Sequence, residues 1–245
     1  MSLQYRWDFF LEGLLGLFGV AVALIPLWVA FQDREMITGW TFPEALVVLG
    51  WFTVLKGVLE GAINPSLIAV VDHIRTGTLD FVLLKPADAQ FLVSTTRFVP
   101  WRFLDVAAGL GIVVYAFAEL GRVPAVLDLA GAICLLAAAL LILYSLWILV
   151  ISAAFHVVRI DNLAFLFTAI FDAARWPATV FRGVLRLVFT VVIPLALMTT
   201  YPSMALLGTL EPAAALGTVG GAIAFAALAR WVWLRSVGKY TSASS

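Results

Sequence analysis

Few residues of this chain could carry chemistry, and the most conspicuous are two charges inside an apolar segment. Lys56 and Glu60 are four residues apart, so a helix would place them on the same side. A charge in hydrocarbon is costly unless it is paired or faces water. The pair therefore indicates either a polar patch on a transport path or subunit interface, or a structural ion pair. Asn64, one turn further on, extends the same face.

Motifs for hydrolysis or nucleotide binding are missing from the sequence. There is no H-E-x-x-H and no G-x-S-x-G, and His73 and His156 are far apart. A Gly-Lys pair ends at Lys239, but Trp233 stands where a phosphate loop needs its first glycine, and Tyr240 replaces Ser or Thr. We therefore predict no catalytic, metal or cofactor site on this chain. If ATP and Mg²⁺ drive it, they bind to another subunit.

The composition is that of a chain embedded in a lipid bilayer. Of its 245 residues, 63% are hydrophobic and 12% charged, and the mean hydropathy is +1.06. Soluble domains have roughly 45–50% apolar and about 25% charged residues. The formal net charge is zero, which gives no indication of nucleic-acid binding. The single cysteine, Cys134, can form no internal disulfide.

The apolar runs predict an all-α integral membrane protein with six transmembrane helices and one membrane domain over 1–245. The predicted spans are 9–31, 44–71, 103–120, 126–158, 184–207 and 213–234. Within the long second span, Asn64-Pro65 predicts a kink. Segment 160–181 is apolar but interrupted by charges and by Pro177, so we expect an interfacial or bundle-packed helix.

Basic residues predict the orientation of these spans. With six spans, the side that holds both termini carries 12 of the lysines and arginines, and the other side carries Arg34 and Arg122. Positive charges favour the cytoplasmic side of a membrane protein. We therefore expect both termini and the loop after the second span to be cytoplasmic.

That loop, within the segment 72–102, is the first long polar interruption of the chain. Gly77 stands where a helix would stop, and Pro86 where a new turn begins. The charged side chains in the segment follow one another closely: Asp72, Arg75, Asp80, Lys85 and Asp88. One interpretation is a docking site for a cytoplasmic motor protein, and the other is a solvated connection between two helices.

Glycines repeat on two of the spans. The first set is Gly13, Gly16 and Gly19, and the second is Gly217, Gly220 and Gly221. Small residues let membrane helices approach closely. For each set taken alone, packing within the chain is the preferred explanation. Of the two sets together, we expect at least one to serve dimerisation.

Short motifs spread over the chain resemble one bacterial family, the ABC-2-type permeases, which are six-span half-transporters. The main motif is Ile74-Arg-x-Gly77-x-Leu79-Asp80-x-x-Leu83-Leu84-Lys85-Pro86. Others are Gln4-Tyr5-Arg6-x-x-Phe9, Arg175-Trp176-Pro177, Val192-Ile193-Pro194 and the ending Tyr240-x-Ser242-Ala243-Ser244-Ser245. Trp176 departs from the pattern, which more often has tyrosine. Lys56 and Glu60 are not part of it.

The resemblance implies a second permease, identical or a sister chain, and two ATP-binding-cassette ATPase subunits that bind ATP and Mg²⁺. It also implies a location in the bacterial cytoplasmic (inner) membrane and export of a hydrophobic or amphipathic substrate such as a lipid, glycolipid or drug-like molecule. The loop after span two would be the ATPase-coupling loop. Its implied polar contacts are Arg75, Asp80, Lys85 and Asp88, its anchors Leu79, Leu83 and Leu84, and its turn residues Gly77 and Pro86.

Other functions are compatible with the sequence. An ion-coupled carrier or channel would use Lys56 and Glu60 and would need no ATPase partner. A membrane-embedded enzyme would need clustered carboxylates or histidines at one membrane face, which the sequence does not offer. A scaffold for another assembly would also use the polar loop, and only ATPase stimulation separates it from a permease.

Overall fold

The computed structural model describes residues 2–155 and 161–240, with side chains from residue 11 onward except those of 154 and 161–164. These residues form helices joined by short connections. The helices are α1 (Ser2–Phe31), α2 (Phe42–Val58), α3 (Asn64–Thr76), α4 (Asp80–Leu83), α5 (Ala89–Ser94), α6 (Phe103–Glu119), α7 (Val126–Ser152), α8 (Asp161–Phe171), α9 (Val184–Leu187), α10 (Tyr201–Leu206) and α11 (Pro212–Val237).

Shorter elements complete the described part of the chain. Strands β1 (Met36–Ile37) and β2 (Trp40–Thr41) form a small antiparallel hairpin before α2. Three segments are π-helical: Leu59–Ile63, Val188–Val192 and Ala196–Thr200. Four are 3-10 helical: Pro100–Arg102, Ala153–Phe155, Asp172–Arg175 and Ala178–Val180.

Five of the described helices are long and apolar enough to cross a membrane. They cover Leu11–Phe31, Phe42–Thr76, Pro100–Glu119, Val126–Ser152 and Pro212–Val237. The bent pair Gly183–Val192 and Ala196–Leu206 makes a sixth if it counts as one span. The expectation of an all-α membrane protein is therefore confirmed, with five or six spans at the predicted places.

The second span is one helical run through α2, the π-helical segment and α3. Asn64-Pro65 predicted a kink there, and the structure has the π-helical segment Leu59–Ile63 directly before these residues. Pro65 has no N–H to donate to the carbonyl four residues back. The backbone adjusts by wider bonding, with the Asn64 N–H donating to the Leu59 carbonyl five residues earlier.

The tightest helix crossing of the bundle is between α2 and α6. A Cβ placed on Gly109 would lie 2.7 Å from the Gly50 carbonyl oxygen and 2.8 Å from the Val54 nitrogen. Further along α2, a Cβ on Gly57 would lie 3.1 Å from the Arg102 carbonyl oxygen. Only glycine permits this backbone contact, which brings the start of α6 against the middle of the second span.

The first helix packs on α6 through two of its three glycines. A Cβ on Gly13 would meet Leu104 at 2.6 Å, and one on Gly16 would meet Asp105 at 2.7 Å, whereas Gly19 faces open space. Gly217 and Gly220 on α11 also face open space. The predicted close packing within the chain thus applies to Gly13 and Gly16, and the tighter glycine contacts of α2 were not predicted.

The fifth predicted span, over 184–207, is bent in the structure. Its two halves, Gly183–Val192 and Ala196–Leu206, are bent by 69°. Pro194 lies in the break and cannot donate the hydrogen bond that a continuous helix needs there. The segment is therefore a broken span or a re-entrant loop.

The 160–181 region is also more divided than predicted. Helix α8 ends at Phe171, which is buried against the Phe52 ring with a centroid distance of 5.3 Å. A 3-10 turn follows, and Trp176 is extended because it precedes Pro177. Phe165 and Leu166 on α8 are exposed, whereas Phe171 is buried, so the interfacial and the bundle-packed alternatives both stay predictions. Helix α7 stops at Ser152 and the 3-10 turn Ala153–Phe155 follows, while the predicted end of this span at 158 lies outside the described residues.

Candidate functional site

The 72–102 segment is a structured unit that begins at a helix end. Helix α3 stops at Gly77, whose φ of +71° is a left-handed conformation that glycine adopts freely. The short helix α4 follows, and the fully buried Leu79 fixes its start within the core. Leu83 packs against the core with part of its surface. Burying a leucine completely contributes about 2 kcal/mol, so this position holds the unit in place.

The outer side of α4 carries exposed apolar and basic side chains. Phe81 is 71% exposed and Leu84 is 81% exposed, and Lys85 and Pro86 beside them are exposed too. Leu84, which the resemblance made an anchor beside Leu79 and Leu83, thus does not pack inside this chain. Phe81 was not among the predicted residues, although its place between Leu79 and Leu83 puts it on the opposite side.

Asp88 ties the segment to the last helix. Its carboxylate accepts hydrogen bonds from both terminal nitrogens of Arg230 on α11 and from the Phe91 N–H, at 3.0 Å, at the start of α5. Arg230 holds the pKa of Asp88 below its ordinary value, and the Phe91 hydrogen bond acts in the same direction. Asp88, predicted as a polar contact for a partner, therefore faces its own chain.

A second set of hydrogen bonds joins the segment to α7. Arg230 donates to the Gln90 side chain at 3.0 Å, and Gln90 donates to the Tyr144 hydroxyl at 3.1 Å. Ser94 contacts the same hydroxyl at 2.8 Å. Helices α5, α7 and α11 are thereby linked by one polar cluster, which neither the composition nor any motif indicated.

The end of the segment is hydrogen-bonded to the second span at a carbonyl that a proline leaves without a helical partner. Because Pro65 has no N–H, the Gly61 carbonyl lacks its usual helical partner. The Val99 N–H donates to that carbonyl at 2.8 Å. One turn on, Ser66 is fully buried, donates to the Arg97 carbonyl at 2.7 Å and accepts the Arg97 N–H at 3.0 Å. The Asn64-Pro65 pair thus makes a docking point for the loop.

The predicted ion pair is part of a larger set of charges, which we call the ion network. Its members are Lys56, Glu60, Arg102, Asp105, Asp172 and Arg175. On one side, Arg102 binds Glu60 at 2.7 Å and Asp105 at 3.1 Å. Arg102 immediately precedes α6, so Glu60 lies level with the end of a span rather than at its centre.

The other half of the ion network joins α2 to the 3-10 turn after α8. Lys56 lies 3.8 Å from Glu60 but 3.4 Å from Asp172, which also accepts from Arg175 at 3.3 Å. Lys56 and Arg175 both lie over the Phe52 ring, 5.9 and 5.7 Å from its centroid. Asp172 is therefore the nearer carboxylate to Lys56, although the two residues are far apart in the sequence.

Asn64 does not extend the polar face by an ion-network contact. Its side-chain oxygen accepts a hydrogen bond from the Trp147 indole at 3.2 Å, which ties the second span to α7. It still lines a cavity of about 400 Å³ together with Glu60 and Arg102. The three residues predicted as a polar path are therefore neighbours, with different partners.

A larger cavity of about 600 Å³ opens between α1, α2, the start of α6 and the turn after α8. Its polar wall is formed by Glu12, Lys56, Glu60, Arg102, Asp105 and Arg175. Leu15, Val20 and Phe52 are among its apolar lining residues. In residues 11–153 and 165–240, no group of three His, Cys, Asp or Glu side chains is placed to hold a metal ion.

The remaining predicted residues lie around α4. Arg75 is exposed in the last turn of α3, and Asp80 is half-buried at the start of α4. Desolvation raises the pKa of Tyr240, which follows α11, and the negative charge of Asp80 raises it further. The Tyr240 ring packs edge-on against Phe155, so the end of α11 lies close to the 3-10 turn that follows α7.

These features define a polytopic α-helical membrane protein in which a structured loop is bonded to three of the spanning helices. Residues 17–244 match the family model described as ABC-2 family transporter protein. The chain therefore belongs to the ABC-2 transporter family, as its motifs indicated, and in that family such a chain is a membrane permease subunit. No curated protein and no solved structure matches it.

Proposed function

We propose that this chain is the membrane permease subunit of an ATP-driven exporter and that α4 and its flanking turns bind the ATPase subunit. The observation that carries the proposal is a set of exposed apolar side chains on an element that a buried side chain holds in place. Phe81 and Leu84 are exposed beside Lys85, while Leu79 beneath them is fully buried. Isolated apolar side chains on a surface are ordinary, but two on one short helix next to a lysine suit a protein contact.

The base of α4 is well suited to transmit movement. Hydrogen bonds join the segment to the second span at Gly61 and Ser66, to α7 at Tyr144 and to α11 at Arg230. A push on α4 would therefore reach three spanning helices through direct contacts rather than through a flexible linker. A loop that only connects two helices would not require these bonds.

Copurification tests the proposal directly. The tagged chain is isolated from its native membrane in mild detergent, and bound proteins are identified by mass spectrometry and assayed for ATPase activity. We expect a cassette ATPase in roughly equal amount. The double substitution Phe81→Ala, Leu84→Ala should lower its recovery about tenfold or more, since exposed anchors in an interface contribute about 2 kcal/mol or more.

A matched control is available elsewhere on the chain. Val123 is 90% exposed in the turn between α6 and α7, one span away from the 72–102 segment, so Val123→Ala should leave ATPase recovery unchanged. Equal recovery with the α4 double variant and with Val123→Ala would remove α4 as the docking element. Purification of the chain alone in several detergents, without ATPase, would favour an ion-coupled carrier or channel.

The ion network is the specific observation that bears on the carrier alternative. Every cation in it has a carboxylate within 3.4 Å, so no cation there is available as an unpaired coupling charge. Paired charges of this kind suit a structural or gating role better than ion coupling. We therefore rank the ATP-driven exporter first.

The proposed assembly contains two permease chains, identical or sister chains, in the bacterial cytoplasmic membrane, with 72–102 on the cytoplasmic side. The proposed cargo is hydrophobic or amphipathic, because the larger cavity joins a charged wall to an apolar one. Stimulation of ATPase activity by lipids or hydrophobic cations is the expected result. Stimulation by hydrophilic solutes alone would contradict this substrate class.

A further inference from the structure

One charged side chain on the wall of the larger cavity takes no part in the ion network. The cations Lys56, Arg102 and Arg175 are satisfied by three carboxylates, those of Glu60, Asp105 and Asp172. This leaves Glu12, which lines both the 600 Å³ cavity and the neighbouring 400 Å³ one. No cation among the described residues lies within ion-pair distance of its carboxylate. Among the described residues of the cavity wall, Glu12 is therefore the carboxylate without an ion partner.

The position of Glu12 exposes its carboxylate near the start of the first span. The residue is exposed and lies in the first turn of the span predicted over 9–31. An ionised carboxylate at the margin of a bilayer is stabilised by a positive partner or by water. The cavity leaves room for a partner that is not part of the chain.

The wall beyond Glu12 is apolar and continues to the outer surface of α1. Leu15 and Val22 both line the cavity and are 66% and 45% exposed. Gly19 lies between them on the cavity wall, and a Cβ placed there would meet no atom within 4 Å. A ligand headgroup in the cavity could thus extend an apolar chain along α1 without leaving the membrane.

We propose that this cavity binds an amphiphile that carries an ammonium group, with Glu12 as the counter-ion and the α1 face as the surface for its apolar chain. The shared chemistry is a positively charged nitrogen attached to a hydrocarbon tail. It can come from a cationic amphiphile or from a zwitterionic lipid headgroup. The binding site itself is independent of the ATPase, while a role of this ligand as the exported substrate rests on the proposed function.

Binding is measured on the purified full chain in a nonionic detergent, with three probes of matched chain length. They are an alkyltrimethylammonium, a phosphatidylethanolamine and a phosphatidylglycerol. We expect the two probes with an ammonium group to bind and the anionic phosphatidylglycerol to bind about tenfold more weakly or worse, since a charge-assisted contact is lost. Preference between the first two probes identifies the source of the ammonium group.

Two pairs of variants test the site. Glu12→Gln should weaken the ammonium probes about tenfold and leave phosphatidylglycerol unchanged, while Glu12→Asp should retain most of the preference. Gly19→Leu should abolish binding of all probes by filling the cavity. Its control is Gly111→Leu, on the exposed side of α6, where a Cβ also meets nothing within 4 Å.

Several outcomes would overturn the proposal. Tighter binding of phosphatidylglycerol than of the ammonium probes would assign the cavity to anions. Equal effects of Gly19→Leu and Gly111→Leu would place the ligand elsewhere. Because no ATPase is present, these outcomes differ from the failure of copurification that would count against the exporter.

Discussion

The crossing of α2 and α6 offers a sharp test of how this fold is held together. The perturbation is Gly109→Ala, which adds one methyl group. That methyl would lie 2.7 Å from the Gly50 carbonyl oxygen and 2.8 Å from the Val54 nitrogen. Both neighbours are backbone atoms of a helix, so no side-chain rotation can relieve the contact. The two helices would have to separate by about half an ångström to restore ordinary packing.

The matched control is Gly111→Ala, two residues further along α6. There the new methyl meets no atom within 4 Å, and alanine favours the helix over glycine by about 1 kcal/mol. Gly109→Ala has the same gain in helix propensity but also has an overpacking cost of about 1–3 kcal/mol. This cost is raised because backbone atoms must move. The two variants should therefore differ in stability by about 1–3 kcal/mol, in favour of Gly111→Ala.

The assay is thermal unfolding of the purified chain in detergent, followed by intrinsic tryptophan fluorescence. At about 2–4 °C for each kcal/mol, Gly109→Ala should melt several degrees below Gly111→Ala. The Glu60–Arg102 contact should also lengthen in Gly109→Ala, because Arg102 would move away with α6 when α6 separates from α2. Equal midpoints for the two variants would refute the idea that glycine contacts hold α6 against the second span.

Three further predictions concern the charges and the loop. Arg102→Ala should destabilise the chain by about 1–3 kcal/mol, and more than Lys56→Ala, because it strands two carboxylates; thermal unfolding of both variants compares them. The pKa of Asp88 is lowered, so its contribution to folding stability should be fully present above its ordinary pKa and lost as the pH falls below its lowered pKa. This contribution is at most about 1 kcal/mol, because the pair is exposed. Asp88→Asn should remove the acid dependence of the unfolding midpoint. Pro65→Ala restores a helical N–H that competes for the carbonyl now bonded to the loop, so hydrogen exchange over 96–102 should quicken.

The apolar pattern was sufficient to predict the class of fold. Spans of about 20 apolar residues leave a helix as the only way to satisfy the backbone in lipid, so α1, α6, α7 and α11 lie close to the predicted places. The broken fifth span was beyond this reasoning. Pro194 and Pro202 look equivalent in the sequence, but only Pro194 lies at the bend. Pro202 lies within the helix Ala196–Leu206, directly after the π-helical segment Ala196–Thr200, in the same arrangement as Pro65.

The candidate site was predicted only in part, because sequence patterns report on residues that are close along the chain. Local signals worked where the partner is close in sequence: Gly77 ends a helix, and Lys56 lies near Glu60. They failed where the partner is distant, as with Asp88 and Arg230, which are 142 residues apart. No spacing rule links such residues, since the contact arises only when α5 and α11 pack side by side.

The length of the second span has a mechanical consequence. From Phe42 to Thr76 it is a single run of 35 residues, or about 52 Å, whereas the hydrocarbon layer is about 30 Å thick. A helix of this length that stood perpendicular to the bilayer would exceed the apolar layer by about 20 Å, and its Thr76 end leads through Gly77 to α4. It acts as a lever: a rotation of about 5° about its Phe42 end would displace Thr76 by about 4–5 Å. The π-helical turn that carries Glu60 lies near the middle of this lever, so the charge bound there by Arg102 sits at the point where the arm would flex.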